Sequence, residues 1–119
     1  MNTINANNQN VTTDAKEFYL KTISPEFTFA ANGEVCDFQT WYQRYERFKK
    51  NMRSIEVKFE DIIAEDNKVS ASYWVNCIKK NGSEVEIKIL GIFTVSDNKF
   101  IACDELYWIR KGSLDLTIE

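Results

Sequence analysis

A chain of 119 residues has room for one hydrophobic core, and 44% hydrophobic with 13% aromatic content is the composition of a folded domain, not of a disordered chain. A net charge of −3 argues against a nucleic-acid surface, which needs an excess of Lys and Arg, and the lack of any histidine excludes mechanisms built on an imidazole. The longest apolar run, Ile89 to Phe93, is too short to cross a bilayer, so no membrane partner is expected.

Residues 1–12 read as a flexible polar leader, 13–111 as one domain and 112–119 as a C-terminal tail. The Asn-rich leader lacks the apolar stretch of a secretory signal, which points to a cytoplasmic setting. Cys36, Cys77 and Cys103 are odd in number and contain no Cys-x-x-Cys pair, so free thiols are expected, with no metal site and no cofactor. Asp14 and Glu17 have capping-box spacing for a short helix presenting Ala15, Phe18 and Tyr19, and Pro25 ends anything helical. Glu26 to Ala31 then reads as a strand, with Asn32-Gly33 as a hairpin turn.

Asp37 is a suitable N-cap for a second helix. Phe38, Trp41, Tyr42, Tyr45, Phe48 and Met52 follow at helical spacing and form one aromatic stripe. Arg44, Arg47, Lys49, Lys50 and Arg53 suit the C-terminal end of the helix dipole and read as a solvated face. From Ser54 the apolar period changes to two. Turn signals at Asp66-Asn67, Asn81-Gly82 and Asp97-Asn98 divide the remainder into strands over 55–65, 68–79, 84–96 and 99–110, an antiparallel meander.

Register decides which side chains face the helix. A two-residue turn at Asn81-Gly82 puts Trp74 and Asn76 on one face with Ile87, Ile89, Gly91 and Phe93, and Tyr73 on the other; a three-residue loop with Gly82 left-handed swaps them. Gly91 interrupts a β-branched run and marks a bend or a close approach. In the last strand Asp104 and Glu105 point to opposite faces. A two-residue turn at Asp97-Asn98 sends Asp104 inward, whereas a type I turn with Asn98 left-handed sends Cys103, Glu105 and Tyr107 inward, the arrangement preferred here. An acid buried among aromatics would have a raised pKa suited to acid/base work. Asp61 is a further candidate, in a stretch whose broken alternation suggests a bulge. Both sheet faces carry apolar residues, so a second subunit is expected on the outer one.

The order of elements resembles the nuclear transport factor 2-like superfamily, which includes ketosteroid isomerases and SnoaL-type polyketide cyclases. The residues carrying the resemblance are Pro25-Glu26-Phe27-Thr28-Phe29 with Asn32-Gly33-Glu34-Val35, Trp41, the stretch Ile62 to Val69, Gly91 to Val95, and Asp97 through Leu106. The resemblance implies an α+β cone-shaped roll, a strongly curved antiparallel sheet with helices on its concave face, and common dimerisation. It does not bring the isomerase machinery. The general base falls at Ala30-Ala31, the pocket acid at Gly91, and no Tyr precedes Tyr19; only Glu105 matches an acid position, that of relatives such as limonene epoxide hydrolases. The expected function is binding of a small apolar or amphipathic molecule against Phe29, Trp41, Tyr45, Trp74, Asn76, Gly91, Phe93 and Tyr107. Two alternatives stand beside it: an isomerase, cyclase or dehydratase-type enzyme using Glu105 or Asp104 as acid/base, and a dimeric assembly module contacting its partner through Tyr73, Leu90 and Ile92.

Overall fold

The computed structural model describes residues 21–114. The leader, the helix expected from residue 14 and the last five residues lie outside them, apart from the helical Lys21 and Thr22. The chain then forms β1 (Ile23–Ala31), β2 (Glu34–Asp37), α1 (Phe38–Lys50), β3 (Met52–Glu65), β4 (Lys68–Lys79), β5 (Glu84–Ser96) and β6 (Lys99–Lys111). One curved mixed sheet in the order β2-β1-β6-β5-β4-β3 carries the helix on one face, an α+β cone. All neighbours are antiparallel except β1 and β6, which run parallel.

The turns explain the strand boundaries. Asn32 and Gly33 at φ 50° and 88° make the tight hairpin between β1 and β2. Asp97 and Asn98, both left-handed at φ 51° and 64°, join β5 to β6. The Asp37 carboxylate accepts the Thr40 N–H at 2.9 Å and starts α1, and the Asn51 side chain closes it by donating to the Arg47 carbonyl. Met52 is therefore the first residue of β3, not the last of the helical stripe. Of the five basic residues expected on a solvated face, Lys49 is instead buried, paired with Glu46 at 3.0 Å and set over the Tyr45 ring.

The inner face holds two apolar clusters. Phe38 of α1 packs with Phe27 and Cys103 of the sheet, and Phe29, Trp41, Tyr45 and Phe93 surround them. Met52, Ile55, Val57, Val75, Cys77, Val85, Ile87 and Ile89 fill the lower half of the cone. Burying such side chains stabilises by about 1.5–3 kcal/mol each, so the curved sheet needs this filling to hold its shape.

Candidate functional site

The loop after β4 has three residues, Lys80 to Gly82. Gly82 N–H donates to the Lys79 carbonyl, Lys79 N–H donates to the Ser83 carbonyl, and Gly82 takes φ 92°. Tyr73 thus pairs with Ile89, and Trp74 with Lys88. The two-residue register is corrected accordingly: Trp74 and Asn76 lie on the outer face. Trp74 lies there within cation–π distance of Lys88 and Arg110, and Asn76 lines an outer groove with Glu56, Ile78, Glu84 and Glu86. Tyr73, expected outside as a partner contact, faces the interior.

The last strand turns its acid inward by a different route from the one expected. The Asp97-Asn98 turn is the two-residue type, with Ser96 opposite Lys99, but Thr94 pairs with Ala102, so Ile101 is an extra residue in β6. That bulge shifts the register by one and sets Glu105 opposite Gly91, with Cys103 and Tyr107 on the same inner face. Asp104 is exposed on the outer face, in a groove of about 570 Å³ with Thr28, Ala30, Val35, Ile92 and Ala102. Asp61 also faces outward, just past the bulge at Glu60 that the broken alternation suggested.

Pairing aligns the inner side chains in rows across the sheet. One row reads Ala31, Glu105, Gly91, Ala71, with Ile62 at the edge. On one side of it stand Phe29, Cys103, Phe93 and Val69; on the other, Tyr107, Ile89, Tyr73 and Phe59. By side-chain size the small residues make a trough between two rows of larger ones, and Glu105 is the one charged residue in these three rows. Pairing runs through Gly91 without a shift, so no bulge occurs there. A Cβ at Gly91 would lie 3.3 Å from the Phe93 ring and 3.6 Å from Glu105 Cβ, inside the trough. Trp41 and Tyr45 of α1, stacked 5.5 Å apart, come next to Phe29 from above, Trp41 lying 6.4 Å from its ring.

Glu105 Oε2 accepts the Tyr73 hydroxyl at 3.4 Å and faces the Cys103 thiol at 3.9 Å. Burial pushes the carboxyl up to about 7, against the opposing effect of these two donors. Burial, and then the nearby Glu105 charge, raise Tyr73 and Cys103, which stay protonated around neutrality. Asn32 holds the strand that carries Glu105: its N–H donates to the Glu105 carbonyl, and its side-chain amide both donates to the Tyr107 carbonyl and accepts the Tyr107 N–H. The sequence offered Tyr73 only as an outer-face contact and Asn32 only as a turn residue, and it did not single out Phe59. The length of the Asn81-Gly82 loop was the one signal that would have placed Tyr73. Among the described residues no group of His, Cys, Asp and Glu is arranged to hold a metal ion.

A curved sheet closed by a helix over an inward acid has the nuclear transport factor 2-like fold. No model of a known protein family matches the chain. A nuclear transport factor 2-like protein of unknown function from Exiguobacterium sp. 255-15 superposes with a TM-score of 0.69, at 16% identity over 82% of this chain and 86% of that one. A protein from Jannaschia sp. CCS1, described as a candidate SnoaL-like polyketide cyclase, gives 0.67 at 14% identity over 83% and 74%. AclR from Streptomyces galilaeus, described as a candidate hydroxylase, gives 0.70 at 15% identity over 77% and 67%. Among curated proteins, an uncharacterised protein of Schizosaccharomyces pombe is 16% identical over 90 residues, 76% of this chain and 69% of that protein. These likenesses establish the fold; structures of this shape described by different chemistries do not fix an activity. No helix among the described residues is long and apolar enough to span a membrane.

Proposed function

We propose that the chain binds a small apolar or amphipathic molecule in the inner trough, with its body between the Phe29–Phe93 and Tyr107–Tyr73 walls and its polar end at Glu105. The observation that carries this reading is the placement of one inward carboxyl in a row of small residues, Ala31, Gly91 and Ala71, between two rows of larger side chains. Trp41 and Tyr45 extend the apolar wall above it. Native mass spectrometry of gently purified protein tests the reading, with denatured protein as the control. Extra mass retained natively and lost on denaturation is the expected result. An empty protein whose inner tyrosine and tryptophan NMR signals ignore a library of small aromatic compounds would overturn it.

A second reading is favoured by the titration of Glu105 near neutrality: proton transfer of cyclase, isomerase or dehydratase type, with Glu105 as the acid/base. Asp104, on the outer face, has no part in it. An NMR titration of Glu105 with an ordinary carboxyl pKa would remove that reading. The chain is also read as a homodimer through the outer face, and its three free thiols suit a reducing, cytoplasmic compartment.

A further inference from the structure

Among the described residues, no basic side chain pairs with the inward acid Glu105. Its two contacts are neutral donors, and both reach Oε2; Oε1 accepts from none of the described residues. The ion pairs among the described residues join Lys49 to Glu46, Lys88 to Glu60, Arg110 to Glu86 and Lys111 to Glu84, and none involves Glu105. What surrounds the carboxyl is aromatic. Tyr73 bonds it, Phe59 packs on Tyr73 with ring centroids 5.0 Å apart, Tyr107 follows on the same face, and Phe93 borders the gap at Gly91. Ring faces attract cations and carry no positive charge of their own, so they complement a ligand cation beside a carboxylate and do nothing for a ligand anion. A lone carboxylate in an apolar wall is costly, and an ammonium group placed on its open oxygen removes that cost through a charge-assisted hydrogen bond.

We propose that the inner trough selects a cationic amphiphile, an amine on an aromatic or aliphatic body, whose ammonium group donates to Oε1 of Glu105 while its body lies against the Tyr73, Tyr107 and Phe93 rings. This deepens the ligand-binding reading above and rests on it. Neutral alcohols fit the same space without the charge contact. Carboxylates are repelled by Glu105.

The affinity for an amine follows the ionisation of Glu105. Among the described residues, the titratable groups facing it are Tyr73 from β4 and Cys103 and Tyr107 from β6, with Tyr45 of α1 close enough to act on Tyr73, while β1 and β5 present Ala31, Phe29, Gly91 and Phe93. Tyr73 and Cys103 are raised by burial, which leaves Glu105, at about 7, as the group among these three that changes charge near neutrality. Between about pH 8 and about pH 6 its ionised fraction falls roughly tenfold, and amine affinity falls with it.

The test is an NMR titration of the full chain with phenethylammonium, phenethyl alcohol and phenylacetate, read at the Tyr73, Tyr107 and Trp41 signals at both pH values. The ammonium ion is expected to bind about tenfold more tightly than the alcohol at about pH 8, to lose that margin at about pH 6, and to outbind phenylacetate throughout. Glu105→Gln is expected to equalise the affinities for ammonium and alcohol. Alcohol binding as tight as ammonium binding at the higher pH overturns the amine assignment and leaves the trough as a ligand site. If none of the three moves the inner signals, both the assignment and the ligand-binding reading fall together. The wild-type comparison decides the matter even if the variant does not fold.

Discussion

At Glu105, burial outweighs the hydrogen bonds from Tyr73 and Cys103 that favour the ionised form, and its pKa is pushed up to about 7. In the unfolded chain a glutamate titrates near its ordinary value of about 4.3. Below that value both states hold the proton and the fold loses nothing. As pH rises toward 7 the unfolded chain releases its proton first, so stability declines through that window and levels off above it. A full shift of this size corresponds to about 4 kcal/mol, and solvent reaching the half-buried side chain reduces it to about 2 kcal/mol. Glu105→Gln, which keeps an acceptor for Tyr73, is therefore expected to raise unfolding stability by about 2 kcal/mol near pH 8 and to change it little near pH 4. Urea denaturation at the two pH values measures this; an equal effect at both would show that Glu105 does not titrate out of range. Gly91→Ala separates space from stability at the same place. The added Cβ meets the edge of the Phe93 ring at 3.3 Å, a half-buried side chain bordering the trough that can give way, and alanine suits a strand better than glycine. The expected outcome is a stability change within about 1 kcal/mol together with at least about tenfold weaker binding of any ligand that lies beside Glu105.

At the scale of elements, the register of β6 rests on Asn32. Its left-handed φ of 50° turns the chain out of β1, and its side-chain amide then bonds Tyr107 N–H at 2.8 Å and the Tyr107 carbonyl at 3.0 Å, as a further strand residue would. Asn32→Ala loses both bonds and strains the turn, and is expected to destabilise by about 2 kcal/mol. Asn32→Gly loses the bonds but keeps the turn, and is expected to recover about half of that loss; equal losses in urea unfolding would mean that the side-chain bonds alone matter and the backbone conformation costs nothing. The same hairpin shows what a sequence can and cannot reveal. Asn32-Gly33, Asp66-Asn67 and Asp97-Asn98 are chemically specific turns, so β4 and β5 were expected at their observed limits and β3 and β6 within a few residues. Register was harder, because one residue reverses every side chain. Lys80 belongs to the loop after β4, which moved Tyr73 inside and Trp74 outside, and Ile101 bulges from β6, which sent Glu105 inward although its turn has the length that would have sent Asp104. The parallel pairing of β1 with β6 and the clamp at Asn32 join residues more than seventy positions apart, and no local pattern in either segment encodes such a contact.

For the whole molecule, the outer face of the sheet calls for a cover. Val35, Ile63, Leu90, Ile92, Leu106 and Trp108 are each at least 44% exposed, and the pairing puts all six on that side. They are contiguous: one row runs Val35, Ala30, Asp104, Ile92, Ser70, Ile63, and the next joins Leu106 to Leu90. Small residues alternate with large ones along the first row, so a second copy related by a two-fold axis can set its large side chains over the small ones of the first. Such a dimer leaves the inner trough free in each subunit, which makes binding and assembly separable. Leu106→Lys tests this at the centre of the patch, on a side chain 58% exposed that supports nothing inside the fold. Sedimentation velocity is expected to show the wild-type chain as a dimer at tens of micromolar and the variant as a monomer, with unchanged near-UV circular dichroism and unchanged ligand affinity at Glu105. A wild-type chain that stays monomeric at those concentrations would refute the homodimer, and a variant that loses ligand along with its partner would mean that the two faces are coupled through Glu105 and Leu106, neighbours on β6 that point to opposite sides of the sheet.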